Sequence, residues 1–181
     1  FALASQIVEA EAVKFFIEAT RLRKWCTSGI IWWNLIDGWP QFSDSVVDYY
    51  FGIKLAYHYI RRVQQPVCLI IGEPGPGKQL PVIIANDALQ PVEVDYRITA
   101  GGEVVSAGQF VAPANENWQV DHLRTFASDH RLYLVEWSAG GEAFGNHYLA
   151  GQPPFSLEQY RAWLDEIAAL PRAFDADTVA L

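Results

Sequence analysis

Apolar residues recur with two different periods along this chain, and the switch falls at Pro66. Before it, Val8, Ala12, Phe15, Ala19, Leu22 and Cys26 step by 4, 3, 4, 3 and 4, one stripe of an amphipathic helix predicted over about Ser5–Cys26. Glu11, Lys14, Glu18 and Arg21 line another face of it at pairing distance. After Thr27-Ser28, the apolar run from Gly29 to Asn34 has the length of a buried strand. Gly38 and Pro40 break any regular element, so Asp37 and Trp39 fall on a loop just past the strand's end. Residues 41–50 show no period and read as a long loop. A second helix is predicted over about Ile53–Gln65, with Ile53, Ala56, Tyr57, Ile60 and Val63 on one side and Pro66 as its stop.

Past Pro66 the period becomes two. Val67–Gly72, Leu80–Asn86, Val92–Thr99, Glu103–Val111, Trp118–Thr125, Arg131–Ser138 and Glu142–Leu149 read as seven strands. In the third, Val92, Val94, Tyr96 and Ile98 alternate with Glu93, Asp95, Arg97 and Thr99, the signature of a half-buried strand. Gly101-Gly102 and Gly140-Gly141 supply turns for two hairpins. Seven short strands at this spacing predict an immunoglobulin-like β-sandwich, and the lack of a Cys…Trp…Cys pattern excludes the antibody type. Helical period then returns. Ser156 and Gln159 form a capping box, Tyr160, Trp163, Leu164 and Ile167 follow at i, i+3, i+4 and i+7, and Pro171 ends the helix. Beyond Arg172 the composition gives no reason for order. The predicted fold class is mainly β with α: an α-β-α unit over 1–65, a sandwich over 66–150, and a C-terminal helix and tail over 151–181.

Charge and composition narrow the function. Thirteen basic residues against 21 acidic ones leave −8, which argues against a nucleic-acid partner. No run reaches the ~18 apolar residues of a membrane span, and no charged-then-apolar leader pattern heads the chain, so no membrane partner is expected. Cys26 and Cys68 are too few for a disulfide framework, and His58, His122, His130 and His147 are too scattered for a metal site. No metal or other cofactor is therefore expected. With no methionine, and a start that runs straight into a helix, the chain reads as a piece of something longer.

Two motif-like stretches are set aside. Gly72-Glu73-Pro74-Gly75-Pro76-Gly77-Lys78 matches the phosphate-loop spacing, but Gln79 replaces the magnesium-binding hydroxyl and a strand follows where a helix should. It reads as a hairpin loop. No G-x-S-x-G nucleophile motif occurs, and the acidic residues Glu9, Glu11, Glu18, Asp44 and Asp48 read as solvated or structural. Chemistry concentrates instead in the first loop. Three of the seven tryptophans, Trp32, Trp33 and Trp39, fall within eight residues beside Asn34 and Asp37. An indole offers a flat apolar face and one donor, a match for the C–H face and hydroxyl rim of a sugar ring.

The run Ser28-Gly29-Ile30-Ile31-Trp32-Trp33-Asn34-Leu35-Ile36-Asp37-Gly38-Trp39-Pro40 continues through Val47-Asp48-Tyr49-Tyr50, Lys54, Tyr57, Arg61-Arg62 and Pro66. This pattern resembles glycoside hydrolase family 2, in particular its β-mannosidase-like members. Asn86-Asp87 and Asn146-His147-Tyr148-Leu149 add a weaker likeness in the sandwich. The resemblance covers most of residues 5–150. It implies that residues 1–65 are the last helix, strand and helix of a (β/α)8 TIM barrel, followed by an immunoglobulin-like domain. It further implies a retaining exo-β-glycosidase as the parent, with Trp33 as a sugar platform and Asp37 and Trp39 shaping the loop beside it. The two catalytic glutamates of the family stand at the ends of the fourth and seventh barrel strands. No position here matches either, so no catalytic residue is assigned and the 181-residue chain alone is expected to be inactive. Ile36 stands where relatives often carry a polar residue, which leaves the sugar unassigned. The expected partner is a carbohydrate, met through the parent enzyme. A barrel remnant exposing apolar faces is also expected to self-associate or to repack that surface onto the sandwich or the C-terminal helix. The competing reading is a stand-alone carbohydrate-binding or structural sandwich without catalysis.

Overall fold

A computed structural model describes residues 1–42, 44–75, 77–124 and 130–174. They fall into two compact units, Phe1–Gln64 with Phe174, and Gln65–Ala173.

The first unit holds two helices, α1 (Ala2–Leu22) and α2 (Leu55–Val63). The helix that spacing predicts is present, but the side it buries differs. Ile7, Ala10, Lys14, Ile17 and Glu18 are buried, whereas Val8, Phe15 and Phe16 of the expected stripe and its flank are exposed. Helix α1 is apolar on more than one side, so periodicity defines a helix without choosing its face. The choice is made by α2, against which α1 packs. Lys14 and Glu18 enter that interface because they neutralise each other across one turn at 2.8 Å. This places Glu18 inside the unit as a structural, paired carboxylate, one of the two readings the sequence left open for it. Gln6 then accepts from the Leu55 N–H at 3.0 Å, satisfying a first-turn donor of α2 that Lys54 at the N-cap leaves open.

No strand forms at Gly29–Asn34, a second correction. A strand needs a neighbour to satisfy its N–H and C=O groups, and none pairs with residues 29–33 among the described residues. What exists between the helices is two isolated bridges, Ile36 parallel with Val47 and Val47 antiparallel with Ile53.

The second unit carries seven strands: β1 (Val67–Ile71), β2 (Gln79–Asn86), β3 (Val92–Ala100), β4 (Glu103–Ala112), β5 (Asn117–Arg124), β6 (Arg131–Ala139) and β7 (Glu142–Ala150). Each lies within a residue or so of its prediction; Thr125 of the fifth lies outside the described residues. All pairings are antiparallel, in sheets ordered β1-β2-β5 and β4-β3-β6-β7. This is an immunoglobulin-like sandwich. Both glycine pairs turn as expected, with φ of 60° and 81° at Gly101-Gly102 and again at Gly140-Gly141, the left-handed pairs that type I′ hairpins require. Between β1 and β2 the described residues close as a hairpin loop, with Gly72 N–H donating to the Pro81 carbonyl at 2.9 Å and Gly75 N–H to the Gln79 carbonyl at 3.0 Å; Pro76 lies outside the described residues.

Side chains close the two open flanks of the sandwich. Trp137 on β6 and Asn146 on β7 donate to the Val67 and Leu69 carbonyls at 3.1 and 3.2 Å, satisfying acceptors of edge strand β1. On the other flank Ser106 of β4 donates to Asp121 of β5, and Phe110 stacks on Trp118 with centroids 6.2 Å apart. Helix α3 (Leu157–Ala168) starts where the capping box predicts, with the Ser156 hydroxyl accepting from the Gln159 N–H at 3.4 Å. It buries Tyr160, Trp163, Leu164 and Ile167 and packs on β6. The chain after it runs so close to β7 that a Cβ on Gly145 would stand 2.7 Å from Leu170 Cβ.

Candidate functional site

The tryptophan-rich connection between α1 and α2 is built as three extended limbs. Limb 34–37 runs parallel to limb 44–47: Asn34 N–H donates to Asp44, Val46 N–H to Asn34, Val47 N–H to Leu35 and Asp37 N–H to Val47. The chain then turns at 48–52 and returns antiparallel, with Asp48 N–H on the Gly52 carbonyl and Lys54 N–H on the Val46 carbonyl. These six backbone bonds cannot hold some twenty residues alone, and the core of the loop is polar.

At that core lies an ion pair. Lys54 Nζ stands 2.7 Å from Asp37 Oδ2, with Asp37 3% and Lys54 7% exposed. Lys54 also donates to the hydroxyl of fully buried Ser45 at 3.2 Å, and Gln41 donates to Asp37 Oδ1 at 3.0 Å. Burial pushes the Asp37 carboxyl upward, but the hydrogen bonds from Lys54, Ser45 and Gln41 and the Lys54 charge outweigh it and hold the group below its ordinary value. Asp37 is therefore ionised and committed. It ties the Trp39 turn to the base of α2 and offers no free oxygen for acid–base work. Glu9 faces this cluster from α1. Burial raises its pKa to about 7, with the Asp44 and Asp37 charges adding to the rise and Lys54 opposing it.

The aromatics sit outside this clamp. Trp33 is 74% and Trp39 65% exposed, while Trp32 is half-buried. Trp33 precedes limb 34–37 and Trp39 follows it, so the loop holds the two indoles at opposite ends of that limb. The Trp33–Asn34 peptide bond is cis. Of the sequence-read residues, Asp37 and the Trp39 turn are joined through the clamp and Trp33 stands apart. Lys54, Ser45 and Gln41 carry no role in the sequence reading. The signal for Lys54 was present, as a single lysine among Asp37, Asp44 and Asp48 in a loop with no other cation. Among the described residues no group of three or more His, Cys, Asp or Glu side chains is placed to hold a metal ion. No described helix is long and apolar enough to cross a membrane.

The combination of a clamped tryptophan loop and an immunoglobulin-like sandwich recurs in known proteins. A β-D-mannosidase from Dictyoglomus thermophilum matches 80% of this chain with a TM-score of 0.67 and 24% identity. The exo-chitosanase CsxA of Amycolatopsis orientalis matches 82% with a TM-score of 0.61 and 15% identity. These two likenesses establish the fold, and the chain spans 19% of the length of each protein. In sequence, β-mannosidase B of Aspergillus niger is 36% identical over 69 residues, which is 36% of this chain and 8% of that enzyme. The Aspergillus flavus counterpart is 33% identical over 69 residues, again 8% of its length. No family model matches the chain. The resemblance read from the tryptophan loop holds: the chain is related to the β-mannosidase-like enzymes of glycoside hydrolase family 2, of which it spans a small part.

Proposed function

We propose that this chain is the C-terminal part of a retaining exo-β-glycosidase of the β-mannosidase type. In this reading it supplies a sugar-contacting tryptophan loop and an accessory sandwich. The observation that carries the reading is Trp33, held 74% exposed at the mouth of a loop whose own core is clamped without it. An indole left in water by a loop that does not need it for packing is available to a sugar face. Asp37 contributes through loop shape, and Trp39 flanks the same loop.

Retaining hydrolysis needs two carboxyl groups about 5–5.5 Å apart, one protonated and one nucleophilic. Two of the loop's carboxylates are engaged otherwise: Asp37 on Lys54, and Asp48 on the N–H groups of Tyr50 and Gly52 at 2.8 and 2.7 Å. In this reading the catalytic glutamates belong to sequence outside these 181 residues. The test is hydrolysis of an aryl β-mannoside by the purified 181-residue chain and by the product of the extended reading frame. The longer protein is expected to turn over with retention of anomeric configuration and the 181-residue chain to show none. Turnover by the short chain would relocate the carboxylates. An upstream sequence without further strand–helix alternation would leave the stand-alone sandwich reading in its place.

Self-association belongs to the same reading. Val8, Phe15 and Phe16 project from α1 on the side away from its buried line. An apolar face of this kind draws a second copy when no other surface covers it. Sedimentation of the 181-residue chain should show concentration-dependent association that Phe16→Ser weakens, and a monomer that binds no hydrophobic dye would contradict it.

A further inference from the structure

The turn after Asp48 has more order than packing explains. Tyr49, Tyr50 and Phe51 are consecutive and all exposed, Phe51 at 77%. Exposed aromatics on a mobile turn would mean little, but this turn is fixed from four directions. Asp48 Oδ1 accepts from the Tyr50 and Gly52 N–H groups, the Asp48 carbonyl accepts from Phe51 N–H, and Asp48 N–H closes the hairpin on Gly52. Gly52 lets the Asp48 carboxylate lie close, since a Cβ there would stand 2.8 Å from Asp48 Oδ2 and push it from its N–H partners. Phe51 is held at φ 67°, the left-handed region that a bulky side chain avoids. Tyr49 and Tyr50 brace each other edge to face, 5.3 Å apart at 84°. Strain is thus accepted at a residue whose ring packs little in return.

Topology says what stands next to this turn. Limbs 34–37 and 44–47 are parallel, so they leave the loop at the same end. The first continues into Gly38-Trp39-Pro40 and the second into Tyr49-Tyr50-Phe51. Trp39 and the strained turn therefore share one end of the loop, and Trp33 lies at the other. We propose that Trp39 with Tyr49, Tyr50 and Phe51 forms a preorganised aromatic platform for further pyranose rings of a neutral oligosaccharide, separate from the ring assigned to Trp33. The choice of ligand rests on the glycosidase reading. It fits the chemistry present: aromatic faces for C–H surfaces, with phenol O–H and indole N–H groups for hydroxyls. The net charge of −8 disfavours an acidic glycan.

The test is calorimetric binding of β-1,4-mannotriose and of methyl β-mannoside to the 181-residue chain, with melting temperatures recorded for each variant. Mannotriose should bind more tightly than the monosaccharide glycoside. Tyr50→Ala and Phe51→Gly should each weaken mannotriose about 5- to 10-fold. Phe51→Gly relieves the positive φ while removing the ring, so its melting temperature should stay or rise as binding falls. Trp33→Ala should leave most of the trisaccharide's advantage over the monosaccharide intact. Unchanged mannotriose affinity in both turn variants, or no binding by the wild type, overturns the platform. So does a melting temperature that falls with Phe51→Gly, which would make the ring a packing element, or dispersal of a self-associated chain by the turn variants, which would make the turn an interface. If the longer protein proves inactive on aryl mannosides while the turn variants lose mannotriose, the glycosidase reading fails and the platform stands.

Discussion

The sandwich and the tryptophan loop meet the same requirement, partners for every buried N–H and C=O, by different means. In the sandwich, long antiparallel ladders satisfy the interior, and Trp137 and Asn146 cover carbonyls of edge strand β1. Its apolar side chains, Val94, Tyr96 and Ile98 on β3 among them, are then free to fill the core. The loop has no ladder. It is held by scattered backbone bonds around a buried lysine–aspartate pair, and its largest apolar side chains face outward. A fold that buries charge and displays aromatics has its apolar surface available for recognition. One that buries aromatics and displays charge is a support.

The sharpest break of this contrast is Lys54→Ala. It strands the Asp37 carboxylate in a site that excludes water, at a cost of about 3–5 kcal/mol. The damage should stay local: amide exchange at Val47, Asp48 and Lys54 accelerates while β3 and β6 keep their protection. Protection lost equally in both units would mean the loop and sandwich share one source of stability. Ile98→Ala is the mirror experiment. Ile98 is fully buried, and its truncation should cost about 2–5 kcal/mol in denaturant unfolding of the sandwich while leaving the loop amides unchanged. Asn146→Ala removes a donor from the Leu69 carbonyl and should cost about 1–3 kcal/mol, showing as faster exchange along β1.

The smallest effect depends on pH. Folded Glu9 keeps its proton up to about pH 7, whereas the unfolded chain releases it near 4.5. Between those values the unfolded state binds fewer protons, so stability falls as pH rises through that window. Glu9→Gln should flatten this slope in a pH series of unfolding curves. Asp37 acts in the opposite sense. Its folded pKa lies below 3.8, so its contribution is full above that value and is lost as the pH falls beneath it. A slope unchanged by Glu9→Gln would place that carboxyl in solvent.

The same contrast decides what the sequence revealed. The strands were legible because a half-buried sheet writes a period of two, and Gly101-Gly102 and Gly140-Gly141 mark hairpins whose geometry few other residues adopt. Helix α3 was legible from Ser156 and Gln159 because a cap is a local interaction. The buried side of α1 was not, because Val8 and Phe15 compete with Ile7 and Ile17 and only the neighbouring helix decides between them. The strand expected at Gly29–Asn34 was read from an apolar run, but a run does not supply the partner that a strand requires. The Asp37–Lys54 clamp spans seventeen positions without periodicity, so the loop was legible in its aromatic content and hidden in its mechanics.

The central claim is that the loop presents Trp33 for binding and does not use it for packing. Trp33→Ala in the longer protein tests it with two readouts on one variant. The account predicts an unchanged melting temperature and a kcat/KM on an aryl β-mannoside lowered by about 1–3 kcal/mol, by analogy with other aromatic stacking contacts. Wild-type kinetics with a lowered melting temperature would make Trp33 a packing residue and contradict the account.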